Sequence, residues 1–319
     1  MQLYVGDTRN GYALGFRAAM EHIGLAAMIA DNSKVFVKPN FTFPRHIPGV
    51  TTTPALLQEI LRQLSETGAE VFVGESNGGY GSFTAEQAFA GHGLREICRE
   101  TKTNLVNLSS IESEIYTRTV AGRQTSVRLP CFLVKDITLT VSVPVLKVHA
   151  MTTVSLSVKN LWGCCPLDLR LLEHAQLTRK LGLIAQLVKA RIGIIDGTFG
   201  LDRHGPMEGN PRRMDVILAG DDLYALDWVV ASMMGFNPKR IPHLQLIPPD
   251  LRESLAEHKI QSNARWEDVN WHFTLDLDAI DALSMYCFHS DLLSKIVFDS
   301  PLTRPIYAML GRKPMKKLA

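Results

Sequence analysis

The chain has 319 residues, of which 46% are hydrophobic and 21% charged, and its formal net charge is +2 at pH 7. Such a chain is long enough for a large buried core, and its near-neutral charge argues against nucleic acid or an anionic membrane surface as a partner. The start of the sequence lacks the features of a secretory signal, and no run of about eighteen apolar residues predicts a membrane span. We therefore expect a cytoplasmic protein.

The first third of the chain alternates between strand and helix patterns. Short β-branched runs predict strands, and apolar residues at intervals of three and four predict the helices between them. This βαβαβ order predicts an α/β fold with a mainly parallel sheet and helices on both faces. The predicted elements are strands at 34–40, 70–76 and 103–109 and helices at 53–69 and 84–100.

The pattern continues to about residue 245 and then weakens. We expect an α/β domain over 1–245 and an α-rich or irregular C-terminal extension over 246–319 that packs on it, with Pro248 and Pro249 as a candidate hinge. The predicted elements are a hairpin at 116–129, a strand at 136–149, a helix at 177–191, a strand at 192–200, and a strand, acidic turn and helix within 214–236.

Polar and charged residues follow most of the predicted strands at their carboxyl ends. In an open α/β sheet these ends meet at one edge, where ligands bind. The sequence therefore predicts a functional cleft at that edge. The residues are Lys38, Asn40, Thr52, Thr53, Glu75, Ser76, Lys147, His149, Asp196, Asp221 and Asp222.

The segment 143–163 carries four polar side chains among apolar and small hydroxyl residues. They are Lys147, His149, Lys159 and Asn160. The first two are two positions apart, so in an extended segment both side chains point the same way. Helical spacing after residue 151 places Lys159 on one face with Thr152 and Ser155. A lysine beside hydroxyl groups is typical of a site for a carboxylate or phosphate.

We assign the predicted site residues three roles. Negative charge is bound by Lys38, Lys147 and Lys159, and hydrogen bonds that orient the ligand come from Asn40, Thr52, Thr53, Ser76 and Asn160. His149 is the expected general acid or base, because its ordinary pKa lies near neutrality and the nearby lysines lower that pKa. Glu75 and Asp196 are the expected acid/base partners or ligands of a divalent ion.

Several signatures of cofactor and metal sites are missing from the sequence. No G-x-G-x-x-G follows the first predicted strand, and no P-loop, G-x-S-x-G or H-E-x-x-H motif occurs. The five cysteines form no C-x-x-C pair, and we expect the adjacent Cys164 and Cys165 to be buried, inert thiols. Metal and cofactor identity therefore stay unknown at this level.

Six motifs in order give the chain a resemblance to a known family. They are VKPNF, GVTTTPALL, VGES, LKVHAMTTVSLSVKNLWG, DGTFGLDRHGPMEG and VILAGDDLYALD, within about residues 33–240. Together they resemble the domain of unknown function 362 family, DUF362, which implies no particular reaction. Many members carry an appended ferredoxin-like iron–sulfur segment, but this chain lacks its C-x-x-C-x-x-C run. Redox chemistry would therefore need a separate electron donor or cofactor.

A fainter resemblance links residues 53–76 and the spacing of His149, Lys159 and Gly163 to the nickel-pincer lactate racemases. It implies Lys159 as the cofactor tether or carboxylate anchor and His149 as the proton-transfer group.

Three functions stay open from the sequence. The first is an enzyme acting on a small anionic metabolite by acid/base chemistry, as in a racemase, epimerase or lyase. The second is a non-catalytic metabolite or cofactor binder or assembly factor. The third is a cofactor-dependent redox or racemase-like enzyme. The oligomeric state is not predicted.

Overall fold

The computed structural model describes residues 1–29, 33–246, 260–277 and 279–309. Within these residues the strands form a ten-stranded mixed sheet and a separate two-stranded hairpin. The strands are β1 (Gln2–Asp7), β2 (Lys34–Pro39), β3 (Glu70–Glu75), β4 (Asn104–Asn107), β5 (Ser113–Val120), β6 (Arg123–Pro130), β7 (Leu139–Val143), β8 (Val145–His149), β9 (Thr153–Ser155), β10 (Ala190–Asp202), β11 (Asn210–Gly220) and β12 (Gln261–Ser262).

Helices connect and cover these strands, as the sequence pattern predicts. The stretch predicted as one helix over 84–100 is two, because Gly93 adopts a left-handed conformation between them. The helices are α1 (Tyr12–His22), α2 (Leu25–Met28), α3 (Pro54–Ser65), α4 (Ala85–Gly91), α5 (Leu94–Thr101), α6 (Cys131–Lys135), α7 (Ser157–Asn160), α8 (Leu177–Leu187), α9 (Leu223–Met233), α10 (Ala279–Phe288), α11 (Asp291–Phe298) and α12 (Thr303–Met309).

The central strands run parallel in the order β10-β7-β2-β3-β4, so their carboxyl ends meet at one edge of the sheet. This confirms the predicted α/β class with a mainly parallel sheet. Strand β11 is antiparallel to β10 and ends at the opposite edge. The expectation that Asp221 and Asp222 join the other polar residues is therefore wrong. Instead, Asp221 accepts the Gln2 N–H, and Asp222 caps α9 by accepting the Ala225 N–H.

Pro144 divides the strand predicted over 136–149. Strand β7 lies between β10 and β2, whereas β8 pairs farther along β10, where Lys147 lies opposite Leu201. The expected helix after residue 151 is also wrong in its first half, because Thr153 has a left-handed φ of 65° and β9 pairs with β8. Helix α7 consists of a single turn.

The hydrophobic core covers both faces of the sheet. On β2, Val35 and Val37 pack with Leu57 of α3, while Phe36 between them packs on the opposite face with Leu181 of α8. All five side chains lie in the interior. This alternation along a strand, with helices on either side, is the packing that a two-faced sheet requires.

The C-terminal part contacts the α/β region at several places. Strand β12 pairs with β1, and Trp266 and Phe273 pack in the core beneath α9. Helices α10 and α11 pack against the 3₁₀ segment 170–176. The candidate hinge at Pro248 and Pro249 lies outside the described residues, and the division at residue 245 stays a prediction.

Helix α9 supports α7 through one buried carboxylate. The Asp227 oxygens accept the backbone N–H groups of Ser157 and Val158, both at 2.8 Å. We expect Asp227→Ala to lower the free energy of unfolding by about 2 to 4 kcal/mol, because two buried donors lose their acceptor. Asp222→Ala on the same helix removes a single cap and should cost about 1 kcal/mol. Urea denaturation measures both, and equal losses would contradict this role of Asp227.

Candidate functional site

A buried ion pair joins the carboxyl ends of two adjacent parallel strands. Lys38 Nζ of β2 lies 2.5 Å from Glu75 Oε2 of β3, and the two side chains are 1% and 6% exposed. Lys38 also donates to the Pro39 carbonyl at 2.7 Å, and Glu75 accepts backbone N–H groups from Phe41 and Ser76. Each charge is thus compensated and hydrogen-bonded within the protein, as burial requires.

A glycine permits this ion pair. A Cβ atom on Gly163 would lie 2.7 Å from Glu75 Oε1 and 2.8 Å from Lys38 Nζ. A larger residue would displace the ends of the Lys38 and Glu75 side chains, so glycine lets the segment after α7 pass over the ion pair without disturbing it. The Gly163 carbonyl in turn accepts the Ser76 hydroxyl at 2.8 Å.

Lys147 is a second buried cation on β8. It is 1% exposed, and its ammonium donates to the Val50 carbonyl at 2.9 Å and to Thr42 Oγ1 at 3.2 Å. No carboxylate lies within ion-pair distance of it in the described part of the chain. Burial, together with Lys159 and Lys38, lowers the pKa of Lys147 to about 7.

Lys159 is the least compensated cation of the site. It lies on α7, is 9% exposed, and has neither a hydrogen-bond acceptor nor an ion-pair partner among the described residues. Burial and the charge of Arg170 lower its pKa to about 8. Its backbone position is set by Asp227, which accepts the two N–H groups that open α7.

Arg170 is a site residue that the sequence argument did not select. One guanidinium nitrogen, Nη1, donates to the Asn77 carbonyl at 2.9 Å and to Ser76 Oγ at 3.3 Å. No carboxylate forms an ion pair with it in the described ranges. Burial lowers its pKa. It begins a 3₁₀ segment far from any predicted strand end, so neither periodicity nor motif could have identified it.

Two histidines complete the polar part of the site. His149 Nδ1 accepts the Met151 N–H at 3.1 Å, so the neutral ring carries its proton on Nε2. Burial, then Lys159 and Lys147, hold the pKa of His149 well below its usual range, as the sequence predicts. Burial lowers the pKa of His174 to about 3, and its Nδ1 contacts the Leu171 carbonyl at 2.5 Å.

These side chains surround one cavity of about 440 Å³ at the carboxyl ends of the parallel strands. Of the predicted site residues, the structure brings together the ion pair, both lysines of the central segment, the histidine and two amides. They are Lys38, Asn40, Glu75, Lys147, His149, Lys159 and Asn160.

The four other predicted residues lie outside the cavity lining. Thr52 accepts the Asn40 N–H and donates to the Val143 carbonyl, and Asp196 accepts the N–H groups of Thr53 and Thr198. The Ser76 hydroxyl donates a hydrogen bond to the Gly163 carbonyl. These groups hold the loops that carry the site, and their predicted contact with ligand stays a prediction.

The two amide side chains that line the cavity, those of Asn40 and Asn160, also form hydrogen bonds with backbone groups. Asn160 Nδ2 donates to the Lys38 carbonyl at 2.9 Å and to Ser142 Oγ at 3.1 Å, which ties α7 to the end of β2. Asn40 Oδ1 accepts from the Thr42 N–H and hydroxyl, which leaves its amide nitrogen without an acceptor among the described residues. Asn40 is therefore the better placed of the two to bind ligand.

A second cavity, of about 630 Å³, lies beside β4 and α6. Its cation Arg95 pairs with Glu86, and Glu112 and Asp136 add further negative charge. It does not suit an anion. Among the described residues, the group spaced for a shared metal ion is Glu112, Glu114 and Cys131 near this cavity, and Glu114 is bonded to Lys135 at 2.8 Å.

Cys164 and Cys165 are buried beneath the first cavity. Burial raises the pKa of the Cys164 thiol to about 12 and raises that of Cys165 further. Neither thiol forms the reactive thiolate at neutral pH.

Comparison with known proteins shows the family of this chain. A family model described as domain of unknown function (DUF362) matches residues 35–232, more than half of the chain. The chain belongs to the DUF362 family. This confirms the resemblance carried by the six motifs. All the cavity cations fall within the matched residues of this DUF362 protein, whereas α10 and α11 lie beyond them.

Individual proteins also resemble this chain in sequence or in structure. A thylakoid-associated protein of Synechocystis sp. is 24% identical over 232 residues, which cover 69% of this chain and 68% of that protein. A lactate racemase apoprotein from Thermoanaerobacterium thermosaccharolyticum is 14% identical with a TM-score of 0.45, over 71% of this chain and 56% of that one. A Thermotoga maritima protein of known crystal structure is 12% identical with a TM-score of 0.36, over 66% and 55%. Neither structural match bears on the reaction.

No helix in the described part of this DUF362 protein combines the length and the hydropathy needed to cross a membrane.

Removing the compensated cation should destabilise the fold. Lys38→Met leaves Glu75 buried without its ion-pair partner, and we expect the free energy of unfolding to fall by about 3 to 5 kcal/mol. Lys34→Met, at the exposed amino end of the same strand, is the matched control and should change stability little. Chemical denaturation at neutral pH measures both. A loss no larger than that of the control would show that the ion pair does not support the site.

Removing the uncompensated cation should have the opposite effect. Lys159→Met is expected to raise the free energy of unfolding by about 1 to 3 kcal/mol at neutral pH, because a buried charge without a partner is lost. The folded-state pKa of Lys159, about 8, lies below the unfolded value, so the folded protein binds fewer protons between these values. Wild-type stability should therefore rise with pH in that window, and the advantage of the variant should shrink. A destabilised variant at neutral pH would contradict this account.

Proposed function

We propose that this protein is an enzyme that binds a small organic anion, a carboxylate or phosphate, in the cavity and performs acid/base chemistry on it. One observation carries the proposal: Lys147, Lys159 and Arg170 line the same cavity, and none of them has a carboxylate partner among the described residues. Three cations that form no ion pair among the described residues, in one partly enclosed space, make a site for negative charge.

The electrostatics of the lysines support an anionic ligand. Burial is the main cause of the lowered pKa of both lysines; the charges of Lys159 and Lys38 add to it at Lys147, and the charge of Arg170 adds to it at Lys159. An anion placed between them reverses this repulsion and restores the charged state. Binding should therefore be strongest where both lysines are protonated, and the complex should hold more protons than the free protein.

Two kinds of polar group suit acid/base chemistry on the ligand. Lys147 and Lys159 have pKa values near 7 and 8, close to the working range of a general acid or base. His149 is neutral in that range and presents its Nε2–H to the cavity, so it suits the stabilisation of negative charge on a ligand oxygen. The lysines, and not His149, are then the groups that gain and lose protons.

A carrier that binds the anion without converting it is the second candidate. Both predicted carboxylate partners are engaged elsewhere, since Glu75 binds Lys38 and Asp196 binds backbone N–H groups. In an enzyme, His149→Gln should reduce turnover more than it reduces affinity. In a carrier, the same change should alter affinity about as much as a change at Asn40. The cytoplasmic location stays a prediction for either candidate.

Calorimetric titration of the full chain with inorganic phosphate, acetate and succinate tests the site. We expect at least one of these anions to bind, and Lys159→Met to weaken binding roughly 10- to 100-fold through loss of a charged hydrogen-bond donor. Lys34→Met is again the control and should bind like the wild type. Affinity should fall as pH rises from about 7 to about 10, because the bound state takes up protons at the lysines.

The proposal fails if none of the three anions binds, or if Lys159→Met binds the preferred anion as well as the control does. Binding that strengthens at high pH would equally exclude the lysines as the anion-binding groups.

A further inference from the structure

The cavity has two chemically different sides. The cations come from the strand ends, from α7 and from the segment that follows it. The other side, here called the apolar wall, is lined by Leu171, Met207, Met285, Phe288 and Phe298. At about 440 Å³ the cavity lies in the range of sites that hold ligands of drug-like size, about 300 to 1,000 Å³. A phosphate or carboxylate group alone would occupy a small part of that space.

Three side chains of the apolar wall, Leu171, Phe288 and Phe298, pack in one cluster. The Phe288 and Phe298 rings stack with centroids 4.9 Å apart and planes 8° apart. The Phe288 ring also lies 4.7 Å from the ring of His174, which faces the cation side. Leu171 and Phe298 belong to one buried cluster with Leu293 of α11. Stacked rings fixed in this way form a preformed apolar surface that starts where the polar part of the site ends.

Two polar residues also lie on the side of the apolar wall, and they add no positive charge to it. Asp281 and Ser284 of α10 also line the cavity, and neither is cationic. Among the described lining residues, this side therefore offers no cationic partner for a second anionic group. A ligand with acidic groups at both ends suits the cavity less well than a ligand with one anionic end.

We propose that the ligand is amphiphilic, with a single phosphate or carboxylate group at Lys147, Lys159 and Arg170 and an apolar alkyl or aromatic part against the apolar wall. The inference rests on the proposed anion site and adds the class of its ligand. It assigns α10 and α11 a role in specificity, since Met285, Phe288 and Phe298 contact the apolar part of the ligand.

The inference predicts a dependence of affinity on chain length. Burying one methylene group against an apolar surface strengthens binding about fourfold. Across the series inorganic phosphate, ethyl, butyl, hexyl and octyl phosphate, the dissociation constant should fall by about that factor per methylene until the wall is covered. Titration calorimetry on the full chain measures the series at one pH and one ionic strength.

Variants locate the chain-binding surface. Phe288→Ala and, as a second change that keeps the ring pair, Met285→Ser should flatten the chain-length dependence, measured in each variant as the ratio of its affinities for octyl phosphate and inorganic phosphate. Tyr286→Ala is the matched control, because Tyr286 lies on the same helix, is 66% exposed and does not line the cavity. Its chain-length dependence should equal that of the wild type.

The outcomes separate this inference from the proposed function. If inorganic phosphate binds with the same affinity as octyl phosphate, the ligand is not amphiphilic, although the anion site stands. If both variants keep the full chain-length dependence, the chain does not lie on the apolar wall and the inference is overturned. If no member of the series binds, the anion site itself is wrong, and the inference fails with it.

Discussion

The ion pair between Lys38 and Glu75 is the interaction around which the site is built. It joins two adjacent parallel strands at the point where both end, and each charge is hydrogen-bonded inside the protein. The lack of a side chain at Gly163 lets the segment after α7 pass close to the ion pair. Helix α7 carries Lys159, and the amide of Asn160 ties this helix to the end of β2. The Lys38–Glu75 ion pair thus helps to fix the backbone that carries Lys159.

The uncompensated charges of the cavity oppose folding and are best understood through ligand binding. A buried ammonium without a counter-charge costs stability, and the lowered pKa of both Lys147 and Lys159 reflects that cost. A fold selected for stability alone would place apolar side chains there. The cation cluster lies within the family-matched residues, whereas Met285 and Phe288, beyond them, supply part of the apolar wall. In this account the α/β region provides the anion site, and the C-terminal helices determine what is attached to the anion.

Sequence reasoning predicted the parts of the site that depend on strand ends. Lys147 and His149 could be placed together because residues two apart on a strand share a face, and parallel ends meet at one edge. Asp222 was misplaced because a pattern of strand and helix does not fix strand direction, and β11 runs antiparallel. The helical face after residue 151 was wrong because Thr153 adopts a left-handed φ that allows β9 to pair with β8. Arg170 and the apolar wall depend on contacts between distant segments, for which one sequence carries no local signal.

The most direct test of the central claim is an NMR titration of the lysine side chains, followed through the ¹³Cε resonances with and without inorganic phosphate. The account predicts two lysines that titrate near pH 7 and 8, are absent from Lys147→Met and Lys159→Met respectively, and shift to higher pKa when phosphate binds. If all the lysines titrate near their ordinary value of about 10.4, or if phosphate leaves these two unchanged, the cavity does not hold uncompensated cations for an anionic ligand.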